Sequence, residues 1–230
     1  YQFAKQAHGE QMRDDGQNLY IVHPLRGAIA LLEIYQVTKT EIIQGMLLHD
    51  VVEDTELTLD DIRRDFGSQV AKIIDGLTKI SNVFDLQSSA QAENFRKLLL
   101  TLTDDVRVIL IKIADRTHNM RTMGSMPRHK QLKIASETAF LYAPLAHRLG
   151  LYAIKSELED LSMKYTDSDV YKMIAKKLNE TKRERSRYIN EFIRPLKKTL
   201  AESGLKFRIF GRPKSIHSIW NKMKKKGVEF

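Results

Sequence analysis

The chain has 230 residues, and its 42% hydrophobic content fits a soluble globular protein of one or two domains. It contains no cysteine, which excludes disulfides, cysteine-ligated zinc, iron–sulfur clusters and a thiol nucleophile. The net charge of +9 is unevenly placed, because residues 1–165 carry 20 basic and 22 acidic side chains whereas residues 166–230 carry 18 and 7. This distribution argues against a nucleic-acid interface in the first segment. The basic second segment suits phosphate-bearing ligands, RNA or, most commonly, a solvated helical face.

Helical periodicity dominates the first 200 residues. In residues 40–50 apolar side chains recur at helix spacing behind Thr40, which we expect to cap that helix. Thr58 begins the next helix, with Asp61 three residues later as an acidic variant of the capping box. Further helices are expected at residues 104–122, 131–148, 152–165 and 168–200. No apolar run approaches the ~20 residues of a membrane-spanning helix, and no signal peptide is visible.

The character of the sequence changes near residue 200. Residues 205–210 alternate apolar and polar side chains after Gly204, which predicts a short β-strand. The predicted fold is therefore all-α over residues 1–165, with a helical connector over 166–200 and the truncated start of an α/β domain over 201–230. Because the chain begins with Tyr1 inside a helical pattern, we interpret it as part of a longer protein.

Residues 49–54 read His-Asp-Val-Val-Glu-Asp. A continuous helix here places Asp50 and Asp54 one turn apart, and does the same for His49 and Glu53. These four ionisable groups would repel or desolvate one another without a cation. A divalent metal removes the conflict, since its charge favours deprotonated carboxylates and neutral imidazole. The alternative for the His-Asp pair alone is a satisfied pair on a helix.

Two further segments match this one. Residues 106–114 are almost wholly apolar and deliver Asp115 from a helix that runs through the core, where a bare carboxylate needs a partner. Asn119 and Thr122 follow Asp115 at helical spacing on the same face. His23 precedes Pro24, which fits the first turn of a helix, so His23 is expected near a helix start.

The ordered set His23, His49, Asp50 and Asp115 resembles the four metal positions of the HD phosphohydrolase superfamily. Two imidazoles and two carboxylates suit Mn²⁺, Fe²⁺ or Zn²⁺ better than Ca²⁺. Longer strings are similar to long RelA/SpoT homologues, and they cover nearly the whole chain. These strings are residues 49–55, 92–97, 113–122, 142–150, 157–161 and, for the first motif of the synthetase domain, 211–220.

The resemblance implies an HD-type hydrolase domain over residues 1–165 that removes the 3′-diphosphate from ppGpp and pppGpp in the stringent response. It implies Mn²⁺ at the four positions just named, catalysis by Glu53 and Asp54, and substrate contacts from Arg13, Asn119 and Thr122. It also implies a cytoplasmic enzyme without membrane or direct DNA binding. A ribosome contact would belong to C-terminal regions outside this chain. No role is expected here for Arg212, Lys214 and Ser218, which match ATP-binding positions of the synthetase.

One departure concerns the loop before His23. The family usually has two adjacent basic residues there, whereas this chain has Arg13 followed by Asp14 and Asp15. These carboxylates either read a guanine base or face solvent. His118 is expected to be a structural hydrogen-bonding group beside the site. Two alternative functions remain open: hydrolysis of another nucleotide by an HD enzyme, and a regulatory module that binds nucleotide or ribosome without turnover.

Overall fold

The computed structural model describes residues 1–13, 16–85, 105–204, 206–209, 211 and 213–230, with residues 80–85 described in the backbone only. The predicted all-α class is confirmed. The α-helices are α1 Gln2–His8, α2 Val22–Glu33, α3 Thr40–Leu48, α4 Val51–Asp54, α5 Leu59–Phe66, α6 Ser68–Asp85, α7 Val106–Thr122, α8 Arg128–Glu137, α9 Ala143–Arg148, α10 Tyr152–Thr166, α11 Ser168–Glu180, α12 Lys182–Glu202 and α13 Ile216–Lys226. A 3₁₀ turn, Met123–Ser125, follows α7, and a π-helical turn, Thr138–Tyr142, joins α8 to α9.

The chain divides into two compact units, residues 1–158 and 159–230. Helix α7 is the central element of the first unit and packs against α2, α3 and α6. Ile109, Ile111 and Ile113 of α7 are fully or almost fully buried. A Cβ atom on Gly45 of α3 would lie only 2.8 Å from Ile111 Cδ1 and 2.9 Å from Ile73 Cγ2. The glycine therefore allows α3 to pack closely against α6 and α7. This close packing positions the end of α3 relative to those two helices.

The predicted helix starts are correct in one case and wrong by one residue in the other. At α5 the Thr58 side chain accepts from the Asp61 amide, and the Asp61 side chain accepts from the Thr58 amide, which completes the predicted capping box. At α3 the cap position is Lys39, whose carbonyl already accepts from the Ile42 and Ile43 amides. Thr40 is therefore the first helical residue, and the expectation that it caps α3 is wrong.

The predicted continuous helix through residues 49–54 is also wrong. Helix α3 ends at Leu48 and the short α4 starts at Val51. The His49 ring atom Nδ1 lies 2.9 Å from the Met46 carbonyl oxygen, the group that the Asp50 amide would use in a continuous helix. This side-chain bond accounts for the break. One turn of spacing survives, because the Asp54 amide still donates to the Asp50 carbonyl at 2.8 Å.

In the second unit, α11 and α13 pack around a small core of Met163, Ile174 and Ile216. The Asp160 carboxylate accepts from the backbone amides of Ile216 and His217 at 3.1 and 2.8 Å, which satisfies two of the N-terminal amides of α13. Residues 206–209 form no strand, because a strand needs a hydrogen-bonding neighbour and no other described segment of this unit is extended into one. The strand prediction is wrong for these four residues.

Several positions singled out in the sequence lie outside the described residues, namely Asp14, Asp15, residues 92–97, Leu205, Phe210 and Arg212. Among the described helices, none combines the length and the apolar character that crossing a membrane requires.

Candidate metal centre

Three elements of the first unit bring two histidines and an aspartate together. His23 lies in the first turn of α2, His49 directly follows α3, and Asp115 lies midway along α7. His23 Nε2 is 3.0 Å from Asp115 Oδ1, and His49 Nε2 is 3.8 Å from the same oxygen. One ligand atom from each of the three residues lies within 4.8 Å of the other two. Two buried imidazoles facing one carboxylate form a group that can hold a divalent metal ion.

Asp50, the fourth sequence-predicted ligand, lies beside this group. Its Oδ2 atom is 2.8 Å from His49 Nε2, and the Tyr20 hydroxyl donates to the same oxygen. The two groups are close but not aligned as a hydrogen bond, and His49 Nε2 makes no hydrogen bond with any described residue. His49 is 1% exposed, so this nitrogen is also shielded from water. A buried nitrogen without a hydrogen bond is costly unless another partner satisfies it. A cation held between the imidazoles and carboxylates is such a partner.

The electrostatics favour metal-binding protonation states at three of the four candidate ligands. At His49 burial lowers the pKa, but the carboxylates of Asp50 and Asp115 outweigh burial and raise it. Burial raises the pKa of Asp115, but its hydrogen bond with His23 and the nearby positive charges, including that of Lys112, outweigh burial and hold that pKa well below its usual range. Burial also raises the pKa of Asp50, and His49 reverses the effect. The pKa of His23 is lowered, mainly by burial. The shifts of Asp50, Asp115 and His23 are in the direction of ionised carboxylates and a neutral imidazole, which are the forms that bind metal.

Glu53 and Asp54, the predicted catalytic pair, lie on α4 and are both exposed. Partial burial, together with the negative charge of Asp50, raises the pKa of Asp54. Glu53 lines the larger of two cavities that meet at the candidate metal centre. Glu53 thus shares a cavity with Asp115, whereas Asp54 is not among the residues that line either cavity, and neither residue belongs to the three-residue cluster.

The two cavities share Asp115, Asn119 and Met126. The first, which we call the basic cavity, has a volume of about 490 Å³ and is lined by four cationic side chains and by the carboxylates of Glu53, Asp115 and Glu137, the last paired with one of the cations at 3.4 Å. The cations are Lys112 and Arg116 on α7 and Lys130 and Lys133 on α8. The second, which we call the Arg13 cavity, has a volume of about 300 Å³. Its lining includes Arg13, Tyr20 and Met12, together with His23, Asp50 and Asp115 of the candidate metal centre.

Two of the three predicted substrate contacts are joined to the centre by hydrogen bonds. Arg13 donates to Asn119 Oδ1 at 3.2 Å, and Asn119 Nδ2 donates to Asp115 Oδ1 at 2.8 Å. Thr122 is not brought to this pair. Its hydroxyl donates to the His118 carbonyl at 3.0 Å, and it lines a separate cavity of about 290 Å³.

Sequence reasoning did not single out Tyr20 or the four cations of the basic cavity. Burial and the Asp50 charge strongly raise the pKa of Tyr20, so its phenol remains a hydrogen-bond donor. Tyr20 lies one helical turn before His23, and that spacing was the only available signal. The cations lie on two helices, and nothing in the sequence indicates that they share a cavity.

Comparison with known proteins gives consistent results. A family model described as "HD domain" matches residues 1–152. A GTP pyrophosphokinase from Myxococcus xanthus is 44% identical over all of this chain and 30% of its own length. A guanosine-3′,5′-bis(diphosphate) 3′-pyrophosphohydrolase from Aquifex aeolicus is 42% identical, over 99% of this chain and 32% of its own length. The bifunctional (p)ppGpp synthase/hydrolase SpoT of Escherichia coli is 41% identical over 100% of this chain and 32% of its own length. The chain thus spans about a third of the length of these relatives.

Proposed function

This chain belongs to the HD domain family and is similar along its whole length to RelA/SpoT proteins, and from that premise we propose that it hydrolyses ppGpp and pppGpp. The bond between the 3′ oxygen and its phosphorus breaks, the oxygen of a water bonds to that phosphorus, and the 3′ oxygen takes up a proton, so the products are pyrophosphate and GDP or GTP. The observation that carries the proposal is the convergence of His23, His49 and Asp115 within 4.8 Å, beside a cavity of cationic side chains.

The proposed cofactor is Mn²⁺, held by His23, His49, Asp50 and Asp115. The supporting observations are the mixed nitrogen and oxygen donors and the buried His49 Nε2 that lacks a hydrogen bond in the described structure. Bound metal polarises a phosphoryl oxygen and lowers the pKa of a water. Glu53, with Asp54 beside it, then orients the attacking water and takes its proton. Burial and the charge of Asp50 raise the pKa of Asp54, which is the direction that suits a proton-exchanging group.

The different linings of the two cavities suggest how the substrate is oriented in the site. A diphosphate carries several negative charges, so we assign the 3′-diphosphate to the basic cavity, where Lys112, Arg116, Lys130 and Lys133 offset them. The nucleoside then occupies the Arg13 cavity, where Arg13 offers its planar face to the base or its donors to phosphate. Asn119 lies where the cavities meet and bridges Arg13 to Asp115. Thr122 remains a proposed substrate contact, but it lines the separate cavity of about 290 Å³, so the substrate would have to extend to that cavity to meet it.

The domain limits are proposed as they were predicted: hydrolase over residues 1–165, helical connector over 166–200, and the beginning of a synthetase over 201–230. We place the activity in the cytoplasm, and any ribosome contact in other parts of the longer relatives.

A substrate panel tests the assignment against the two alternatives. The purified chain with Mn²⁺ should release pyrophosphate from ppGpp and pppGpp faster than from the adenine counterpart of ppGpp. Comparable rates on unrelated nucleoside triphosphates would favour an HD enzyme of another nucleotide. Tight ppGpp binding without pyrophosphate release would favour a regulatory module.

A further inference from the structure

His118, one helical turn after Ala114 on α7, lies directly behind the candidate metal centre. Its Nδ1 atom is 2.7 Å from His23 Nδ1, and the two rings are 4.8 Å apart between centroids. Both histidines are buried, with His118 7% and His23 2% exposed. The other ring nitrogen of His23, Nε2, faces Asp115 at 3.0 Å. His23 is thus held from two sides, by Asp115 inside the centre and by His118 outside it.

The direction of the bond between the two histidines follows from metal ligation. A neutral imidazole has one nitrogen with a proton and one with a free lone pair. If His23 presents the Nε2 lone pair to a metal, its proton must be on Nδ1, which makes that nitrogen the donor. His118 Nδ1 must then be the acceptor, and the proton of His118 is on Nε2. That Nε2 atom makes no hydrogen bond with any described residue, and His118 borders the cavity of about 290 Å³ that also contains Thr122.

From this geometry we propose that His118 is a positioning residue that selects the metal-binding tautomer of His23 and fixes the orientation of its ring. Metal-bound histidines usually donate their second N–H to a carboxylate or a backbone carbonyl. Here the acceptor is a second, neutral imidazole, which leaves the centre without an additional negative charge. The inference rests on the proposed metal site but not on the identity of the substrate.

Two substitutions separate the acceptor from the shape of the ring. His118→Phe keeps a planar ring but removes the acceptor, and we expect Mn²⁺ to bind about 10–100-fold more weakly, the usual effect of losing such a partner. His118→Asn keeps an acceptor oxygen and should recover most of the affinity. Affinity is read from the electron paramagnetic resonance signal of free Mn²⁺, so no turnover is involved. His147→Phe removes an exposed histidine whose ring meets that of Tyr152 edge to face, and it should bind Mn²⁺ like the parent.

A second measurement needs no substitution. Long-range ¹H–¹⁵N spectra of the Zn²⁺-loaded protein should show that His118 has its proton on Nε2 and none on Nδ1. For His23 they should show the proton on Nδ1 and none on Nε2. A proton on His118 Nδ1, or a folded His118→Phe variant with unchanged Mn²⁺ affinity, would overturn the proposal. If His118→Phe does not fold, the spectra of the parent decide. Failure of the parent itself to bind Mn²⁺ would instead refute the proposed metal site.

Discussion

His23 Nε2 lies 3.0 Å from Asp115 Oδ1, although the two residues belong to different helices, α2 and α7. The pairing depends on how α2 packs on α7, because each helix contributes only one side of the candidate centre. His49 reaches the same carboxylate from the end of α3. A set of candidate ligands drawn from two helices and the end of a third can form only in the folded first unit, so we expect metal binding and folding of that unit to be linked.

Asp115→Ala should remove the metal. The variant loses a half-buried carboxylate that faces both histidines, and Asp50 beside His49 is then the one carboxylate left among the four candidate ligands. Metal content after dialysis, measured by mass spectrometry, should fall to background. Asp75→Ala is the matched control, since Asp75 pairs only with Lys79 on the surface, and it should keep its metal. Full metal content in the Asp115→Ala protein would remove Asp115 from the ligand set.

Glu53→Gln and Asp54→Asn should keep the metal and lose turnover. Each substitution removes an acid–base group outside the three-residue cluster, and the typical cost is about 10²–10⁴-fold in rate. Mn²⁺ affinity and kcat are measured on the same preparation. Glu56→Gln, an exposed change just beyond α4, should alter neither quantity. Loss of metal from either acidic variant would instead make that residue a ligand.

Tyr20→Phe should weaken metal binding by about 10-fold, with a smaller effect on substrate affinity. The change removes the hydroxyl that donates to Asp50 but keeps the ring that packs beside His23. Titration with Mn²⁺ reports the effect. Tyr35→Phe provides the comparison, because it also deletes a part-buried hydroxyl, here bonded to Thr117, away from the metal group. Equal Mn²⁺ affinities in the two variants would show that Tyr20 does not support Asp50.

Gly45→Ala should destabilise the first unit by about 1–3 kcal/mol. The added methyl group would meet side-chain carbons of Ile111 and Ile73 at 2.8 and 2.9 Å, and these side chains are fully buried. Urea unfolding followed by circular dichroism measures the change. Gly124→Ala, where a Cβ atom meets nothing within 4 Å, should change stability by less than about 0.5 kcal/mol. Equal stabilities would mean that α3 can move without cost.

The sequence predicted the helices that carry the centre because their apolar spacing is regular over many residues. Asp115 was recognisable as a buried carboxylate since the preceding segment is nearly all apolar. The break between α3 and α4 could not be predicted, because it depends on the bond from His49 to the Met46 carbonyl rather than on any helix-breaking residue. Residues 206–209 had the alternation of a strand, but alternation does not supply the neighbouring strand that stabilises one.

Tertiary contacts account for what the sequence missed at the site. The bond from Tyr20 to Asp50 joins the approach to α2 with the end of α3, and the bond between His23 and His118 joins α2 with α7. No local pattern encodes either bond. The four cations of the basic cavity come from α7 and α8, and their shared orientation depends on the turn at Met123–Ser125 between the helices.

The most direct test is to incubate the purified chain with ppGpp and measure pyrophosphate with and without Mn²⁺. The proposed function predicts that pyrophosphate and GDP form in equal amounts with Mn²⁺, that a chelator stops the reaction, and that Asp115→Ala is inactive. No pyrophosphate from a folded, Mn²⁺-loaded protein would contradict the assignment. Equal release by the parent with chelator, or by Asp115→Ala, would contradict the role given to the metal centre.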